Sequence, residues 1–350
     1  MSRRTLLQTL FSTFLLKDIF QPELLSAARL TPSRTSEKLA RAVTPRASMV
    51  PLALTAPGPL SLAVVFSRTL DAYDLTLAGC LRALEKVGMP PLVSRYSLEG
   101  DKQNLPGIVE RIRTTQPTLV LTLGTLAARS LAQALPDQPL MFGLVLAPGA
   151  SGLAEVGKVS GRNLTGVSMD IPPEAQVKVI QQLLPQARRI GILYHPEESA
   201  VEVERARQAA QGLGLTLEAM AIQSEREVPR VFTHLCTRVD ALLALPDARI
   251  YTESTSRYLL LQTLRQSLPF VGLLESFVQA GALAGLGLDY GDLGRQLAEY
   301  VLRWRTGEGL ATLPVLSPRR TRLLLNLRTA RRIGVTFPAD VRAQAEVLVP

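Results

Sequence analysis

The chain has 350 residues, 47% of them hydrophobic and 20% charged, with 24 glycines, 24 prolines and a formal net charge of +9. That length fits two compact units, and the composition excludes both a disordered chain and a collagen-like one. The positive charge is local: residues 29–57 carry a net +4 and residues 303–332 a net +7, while the body outside these stretches and residues 1–28 is mildly acidic.

The order of residues at the start has a physical reading. Arg3-Arg4 stands directly before an apolar stretch over 5–16, and Ser26-Ala27-Ala28 offers the small residues a signal peptidase reads. Residues 1–28 are therefore expected to be an export signal of the twin-arginine kind, a receptor-read address and not an anchor. An amphipathic leader helix is the plainer reading. No apolar run reaches the ~18 residues of a spanning helix, because Lys17 and Asp18 interrupt the longest one near the start. Residues 29–57, rich in Ser, Thr, Pro and Arg, read as a linker.

From Leu60 one unit repeats: a short run of Val, Leu and Ile, a turn, then ten to seventeen residues with apolar spacing of three and four. Strands are predicted over 61–66, 92–96, 119–123 and 140–146, with helices over 72–87, 105–114 and 126–135, Asp71 and Thr125 standing as N-caps. After 163–168 the pattern restarts. Strands over 189–194, 215–221, 241–245 and 270–273 alternate with helices near 174–184, 200–213, 227–236 and 254–266. Near-continuous apolar strands are those of parallel sheets covered on both faces, so the fold class is α/β with two helix-covered sheets. Ligands then bind at the strand carboxyl ends, at Ser67, Gly124-Thr125, Ala147-Pro148, Tyr194-His195, Pro246-Asp247 and Leu274-Glu275.

Several chemistries lack their material. Gly152-Leu153-Ala154-Glu155-Val156-Gly157-Lys158 matches the first seven positions of a P-loop, but Val159 stands where Mg²⁺ needs a hydroxyl. Gly285-Leu286-Gly287 with Gly291 misses the dinucleotide spacing and reads as a glycine-rich crossing. His195 and His234, the two histidines, offer neither metal-ligand nor triad spacing; His195 reads as a surface turn residue. Cys80 and Cys236 read as buried small hydrophobes, with no disulfide-linked partner. The arginines from Arg319 to Arg332 lack interleaved aromatics, so they read as a solvated basic face and no nucleic-acid partner is expected. No catalysis, cofactor or metal is expected.

Longer strings carry a resemblance. These are Leu123-Gly124-Thr125-Leu126-Ala127-Ala128, Gly161-Arg162-Asn163-Leu164-Thr165-Gly166-Val167-Ser168, Leu245-Pro246-Asp247, Gly287-Leu288-Asp289-Tyr290 and Leu325-Asn326-Leu327-Arg328-Thr329-Ala330. In this order the chain resembles, from about residue 60 to 348, the solute-binding proteins of ABC transporters, in the family that includes tryptophan- and tyrosine-binding members. The resemblance implies a type I periplasmic-binding-protein fold, two Rossmann-like lobes joined by crossings near Thr165, Leu288 and Leu313. One lobe is expected over 58–164 and 289–312, the other over 165–288 and 313–350. It also implies a periplasmic location, a small-molecule solute and an ABC permease in the membrane as partner.

The site expectations follow from both readings. Thr125 caps a helix whose first N–H groups suit a carboxylate. Asp247 accepts a ligand ammonium, Glu275 adds a second carboxylate, Ser67 a hydroxyl and Tyr194 a wall. Leu126 follows Gly124-Thr125 where relatives often have Pro, leaving an extra free N–H. A helix N-terminus opposite a carboxylate complements a zwitterion, which favours an amino acid. A ligand-sensing module coupled to a receptor or regulator would use the same cleft.

Overall fold

The computed structural model describes residues 58–247 and 249–350, so the export signal and linker expected over 1–57 lie outside the described residues. The first sheet begins with β1 (Ser61–Phe66), α1 (Asp71–Lys86), β2 (Leu92–Ser97), α2 (Leu105–Thr115) and β3 (Leu119–Leu123). It continues through α3 (Thr125–Ala134), β4 (Leu140–Val145) and β5 (Leu164–Ser168). Its strands are all parallel, in the order β2-β1-β3-β4-β5. β3, β4 and β5 are buried throughout, as suits their largely apolar sequence, whereas β2 is an exposed edge.

The second sheet repeats the plan. Its elements are α4 (Pro173–Leu183), β6 (Arg189–Tyr194), α5 (Pro196–Gly212), β7 (Thr216–Ala221), α6 (Val228–Leu235) and β8 (Ala241–Leu243). They continue with α7 (Glu253–Arg265), β9 (Phe270–Gly272), α8 (Glu275–Ala280) and β10 (Ala284–Leu288). Five parallel strands run β7-β6-β8-β9-β10, the order of the first sheet, and β11 (Thr321–Asn326) adds antiparallel to β10 with β12 (Glu346–Val349) outside it. The periodicity of the sequence was therefore sufficient for two α/β units. The glycine-rich crossing expected at Gly285-Leu286-Gly287 is instead the buried strand β10. Its glycines make room for neighbours: a Cβ on Gly287 would lie 2.9 Å from Leu324 Cδ1, and one on Gly285 would lie 2.9 Å from Val278 Cγ2.

After β10 the chain returns to the first sheet as α9 (Tyr290–Arg305), which packs along α1. The two helices meet through glycines. A Cβ on Gly294 would fall 2.6 Å from the Cys80 nitrogen and closer still to the Thr76 carbonyl oxygen, both backbone atoms of α1. Cys80 is buried at this contact, and burial pushes its thiol up to about 12, so it behaves as a small hydrophobe. Cys236 follows α6 and is only partly buried, so it departs from that expectation.

The last passage between the sheets is held by backbone and side chains together. Thr165 Oγ1 donates to the Leu313 carbonyl at 2.9 Å, Leu316 N–H donates to Gly166, and Ser168 N–H donates to Leu316. Further on, Gln296 Nε2 donates to the Ser317 carbonyl and Arg319 N–H donates to Gln296 Oε1. Asp292, in the first turn of α9, accepts from Arg319 at 2.9 and 3.1 Å and from Arg295 at 3.0 Å, with its side chain 2% exposed. Burial alone would raise the Asp292 carboxyl, but the Arg319 guanidinium and then Arg295 outweigh it and hold it below the usual carboxylate range.

Two outcomes are expected. Gly294→Ala forces α1 and α9 apart and lowers the unfolding free energy by about 1–3 kcal/mol in urea titrations. Because the folded pKa of Asp292 is depressed, its contribution is present above the unfolded value near ~3.9 and is lost as pH falls through the lower folded value. Asp292→Asn should therefore lower the melting temperature at pH 7 and flatten its fall below about pH 4 in a calorimetric series.

Candidate functional site

In a sheet of order 2-1-3-4-5 the helices after the first and third strands leave on opposite faces, which opens a crevice between their carboxyl ends. Here that crevice lies between Ser67, at the end of β1, and Gly124-Thr125, at the end of β3. Thr125 is not the cap that the sequence suggested. It is the first residue of α3, and Gly124 holds the cap position with φ +95°, a backbone that strongly favours glycine. Space demands glycine as well, since a Cβ there would fall on the Tyr73 hydroxyl and 2.5 Å from Ser67 Oγ. The capping acceptor comes from another strand: Ser67 Oγ accepts from Ala127 N–H at 3.0 Å. The N–H groups of Thr125 and Leu126 carry no acceptor among the described residues. Ser67, Gly124, Thr125 and Leu126 are thus brought together, with Tyr73 beside them from the first turn of α1.

The equivalent crevice of the second sheet lies between β6 and β8, and its polar groups are engaged with one another. Asp247 is buried, and its carboxylate accepts four hydrogen bonds: from His195 N–H at 2.6 Å, Ser199 Oγ at 2.5 Å, Arg249 N–H at 3.1 Å and Ile250 N–H at 3.0 Å. A carboxylate offers about four acceptor sites, and these donors fill them. Asp247 is therefore corrected from a ligand-facing carboxylate to the tie between the loops that follow β6 and β8. His195 is corrected as well. It is buried, not a surface turn residue, and it caps α5, its Nδ1 accepting from Glu197 N–H at 3.2 Å while Nε2 lies 3.1 Å from Arg249 Nη1. The Arg249 side chain in turn meets Glu197 at 3.0 Å and Glu198 at 3.7 Å.

Tyr194 ends β6 half-buried, against the apolar core. Glu275 opens α8, half-buried, where it accepts from Gln279 at 3.0 Å and lies 3.7 Å from Arg322. Burial, with the Glu275 charge in second place, pushes the neighbouring Tyr290 hydroxyl up. Glu275 and Tyr194 thus stay at the carboxyl-end edge of the second sheet, while Asp247 is withdrawn into it. Sequence reasoning overlooked Tyr73, which looked like one aromatic on an amphipathic helix, and Asp170, which stands two residues past β5. Among the described residues no group of three His, Cys, Asp or Glu side chains converges on a metal-sized space, and no helix is long and apolar enough to cross a membrane. The P-loop-like stretch lies in the connection between β4 and β5, where no helix follows Lys158.

Removing Asp247 should act on stability. Asp247→Ala leaves buried donors without an acceptor and is expected to lower the unfolding free energy by about 3 kcal/mol in chemical denaturation.

The fold and the crevice have known counterparts. Over residues 61–349 the chain matches the family described as ABC transporter substrate binding protein. A curated relative, the tyrosine-binding protein of Clostridioides difficile (strain R20291), is 23% identical over 270 residues, covering 75% of this chain and 78% of that protein. Among solved structures, a ligand-free, open substrate-binding protein with adhesive properties from Clostridium difficile superposes with a TM-score of 0.69. It is 22% identical, and the match covers 83% of this chain and 99% of that one. An ABC domain in complex with L-Trp from Streptococcus pneumonia superposes at 0.58 with 26% identity, again covering 83% and 99%. The fold is that of the type I periplasmic binding proteins. The chain belongs to the ABC transporter substrate binding protein family, a class that binds solutes and does not transform them.

Proposed function

We propose that this protein is the extracytoplasmic receptor of an ABC importer, taking an amino acid, preferably an aromatic one, into the crevice between its two sheets and presenting it to a membrane permease. The observation that carries this reading is the start of α3, where the Thr125 and Leu126 N–H groups stand without acceptors at the switch point of the first sheet. A helix N-terminus of this kind accepts a carboxylate through aligned N–H groups and a favourable macrodipole. Gly124 and Ser67 keep that end open, the first by carrying no side chain and the second by capping only the third N–H.

Aromatic selectivity is supported by the tyrosines at the same edges. Tyr73 follows β1, Tyr194 ends β6 and Tyr290 follows β10, and such rings offer flat apolar area with a polar tip. Glu275, at the opposite edge from α3, lends negative charge to the second wall. The relatives named for tyrosine and complexed with L-Trp point the same way.

The lobe division expected from the sequence supplies the motion. With lobes over 58–164 plus 289–312 and 165–288 plus 313–350, save that β5 keeps residues through Ser168 with the first sheet, closure about the three crossings buries the solute and creates the surface a permease recognises. The Arg3-Arg4 signal would deliver the chain to the periplasm.

The test is a thermal-shift series with the full chain against L-tryptophan, L-tyrosine, L-phenylalanine and a panel of other amino acids and sugars. The true ligand at 100 times its dissociation constant should add about 2.7 kcal/mol of stability. No shift with any amino acid at millimolar concentration would remove this reading.

A further inference from the structure

With Asp247 occupied, the strand-end carboxylate that the sequence offered in the second sheet is Glu275, and it is shared with Arg322 and Gln279. The first sheet holds another carboxylate. Asp170 stands two residues past β5, half-buried, and its carboxylate accepts from the Ala147 N–H, 2.9 Å from one oxygen and 3.1 Å from the other, with the Ser168 hydroxyl beside it. Its own N–H donates to Ser168 Oγ at 2.8 Å. Among the described residues no Lys, Arg or His forms an ion pair with it, unlike Asp240, Asp289 and Asp292, each of which meets an arginine.

The surroundings make that vacancy costly for the carboxylate and useful for a cation. Burial pushes the Asp170 carboxyl up, the Ala147 N–H and Ser168 hydroxyl pull it partly back, and Glu202 adds to the rise. Glu202, on α5, adds a further negative charge to the surroundings of Asp170. A desolvated carboxylate without a paired cation is stabilised by any ammonium brought to it. Ala147, which holds it, is exposed at the end of β4 with φ +44°.

The spacing fits one ligand class. β3 and β5 flank β4, so the α3 N-terminus and Asp170 stand on strands two spacings apart, about 10 Å. An α-amino acid separates its ammonium nitrogen from its carboxylate oxygens by roughly 3 Å. With a hydrogen bond of about 2.9 Å at each end it bridges close to that distance. We infer that Asp170 is the ammonium-recognising residue of this protein and that, with the Thr125 and Leu126 N–H groups, it selects free α-amino acids over the corresponding deaminated acids. The inference rests on the amino-acid reading above.

Calorimetric titration of the full chain with L-tryptophan and with indole-3-propionate, its deaminated counterpart, separates the possibilities. The wild-type protein should bind L-tryptophan about 30-fold more tightly than indole-3-propionate, the scale of one hydrogen bond to a charged group. Asp170→Asn keeps the shape and an acceptor for Ala147; it should lose about that factor for L-tryptophan and change little for indole-3-propionate. Should that variant not fold, Asp170→Ser serves the same purpose. If L-tryptophan binds the wild type and the variant within about threefold of each other, or if the wild type does not distinguish the two compounds, Asp170 is not the counter-ion and the amino-acid reading stands alone. If the wild type binds neither L-tryptophan nor any other amino acid of the panel, that reading falls and the role of Asp170 falls with it.

Discussion

The meeting of Asp292 with Arg319 and Arg295 holds the molecule together where the chain passes between its two sheets. Asp292 opens α9, the helix that returns from the end of β10 to the first sheet, and Arg319 lies on the last segment to leave that sheet before β11. A buried carboxylate gripped by two guanidinium groups is strongly favoured in its charged form, and each partner is costly to leave alone. Gln296 holds the same segment through both its amide oxygen and its amide nitrogen. Two of the passages between the sheets are thereby fastened at one point on α9, while the glycines of that helix press it against α1.

That arrangement decides which groups can face a ligand. Parallel strands all end on one edge, and in both sheets the order 2-1-3-4-5 opens a crevice at the same place. The two crevices are chemically unlike. The first is left open by a glycine cap and by N–H groups without acceptors, whereas in the second His195, Ser199, Arg249 and Ile250 consume the carboxylate of Asp247. On the proposed reading the first sheet offers recognition to a charged solute, and the second contributes chiefly shape, aromatic wall and the charge of Glu275.

Three aspartates show how little residue type alone decides. Asp247 and Asp170 each follow an apolar strand within a few positions, and in sequence they look equivalent. Asp247 meets four donors from two converging loops, while Asp170 meets one backbone N–H, the Ser168 hydroxyl and the negative charge of Glu202. Asp292, on a helix, looks like an ordinary first-turn acid and proves to be the most heavily paired of the three. Desolvation acts on all of them, and the neighbouring donors determine what each carboxylate can do.

Much of the fold was legible in the order of residues. Apolar runs separated by amphipathic stretches placed β1, β3 and β6 at the residues where they occur, and the helices within one to four positions at their ends, because period and burial are local properties of a chain. The family strings marked the Gly124-Thr125 turn at the end of β3. β10 was missed because its glycines mimic a loop until Leu324 and Val278 are seen to need the space. The cap of α3 was misplaced because its acceptor, Ser67, lies 60 residues away from Ala127 in sequence. The sequence by itself determined the two sheets and their strand-end residues. Only the tertiary structure decided which strand-end carboxylate stays available, since a hydrogen-bond acceptor is filled by whatever donors the fold brings to it from distant segments.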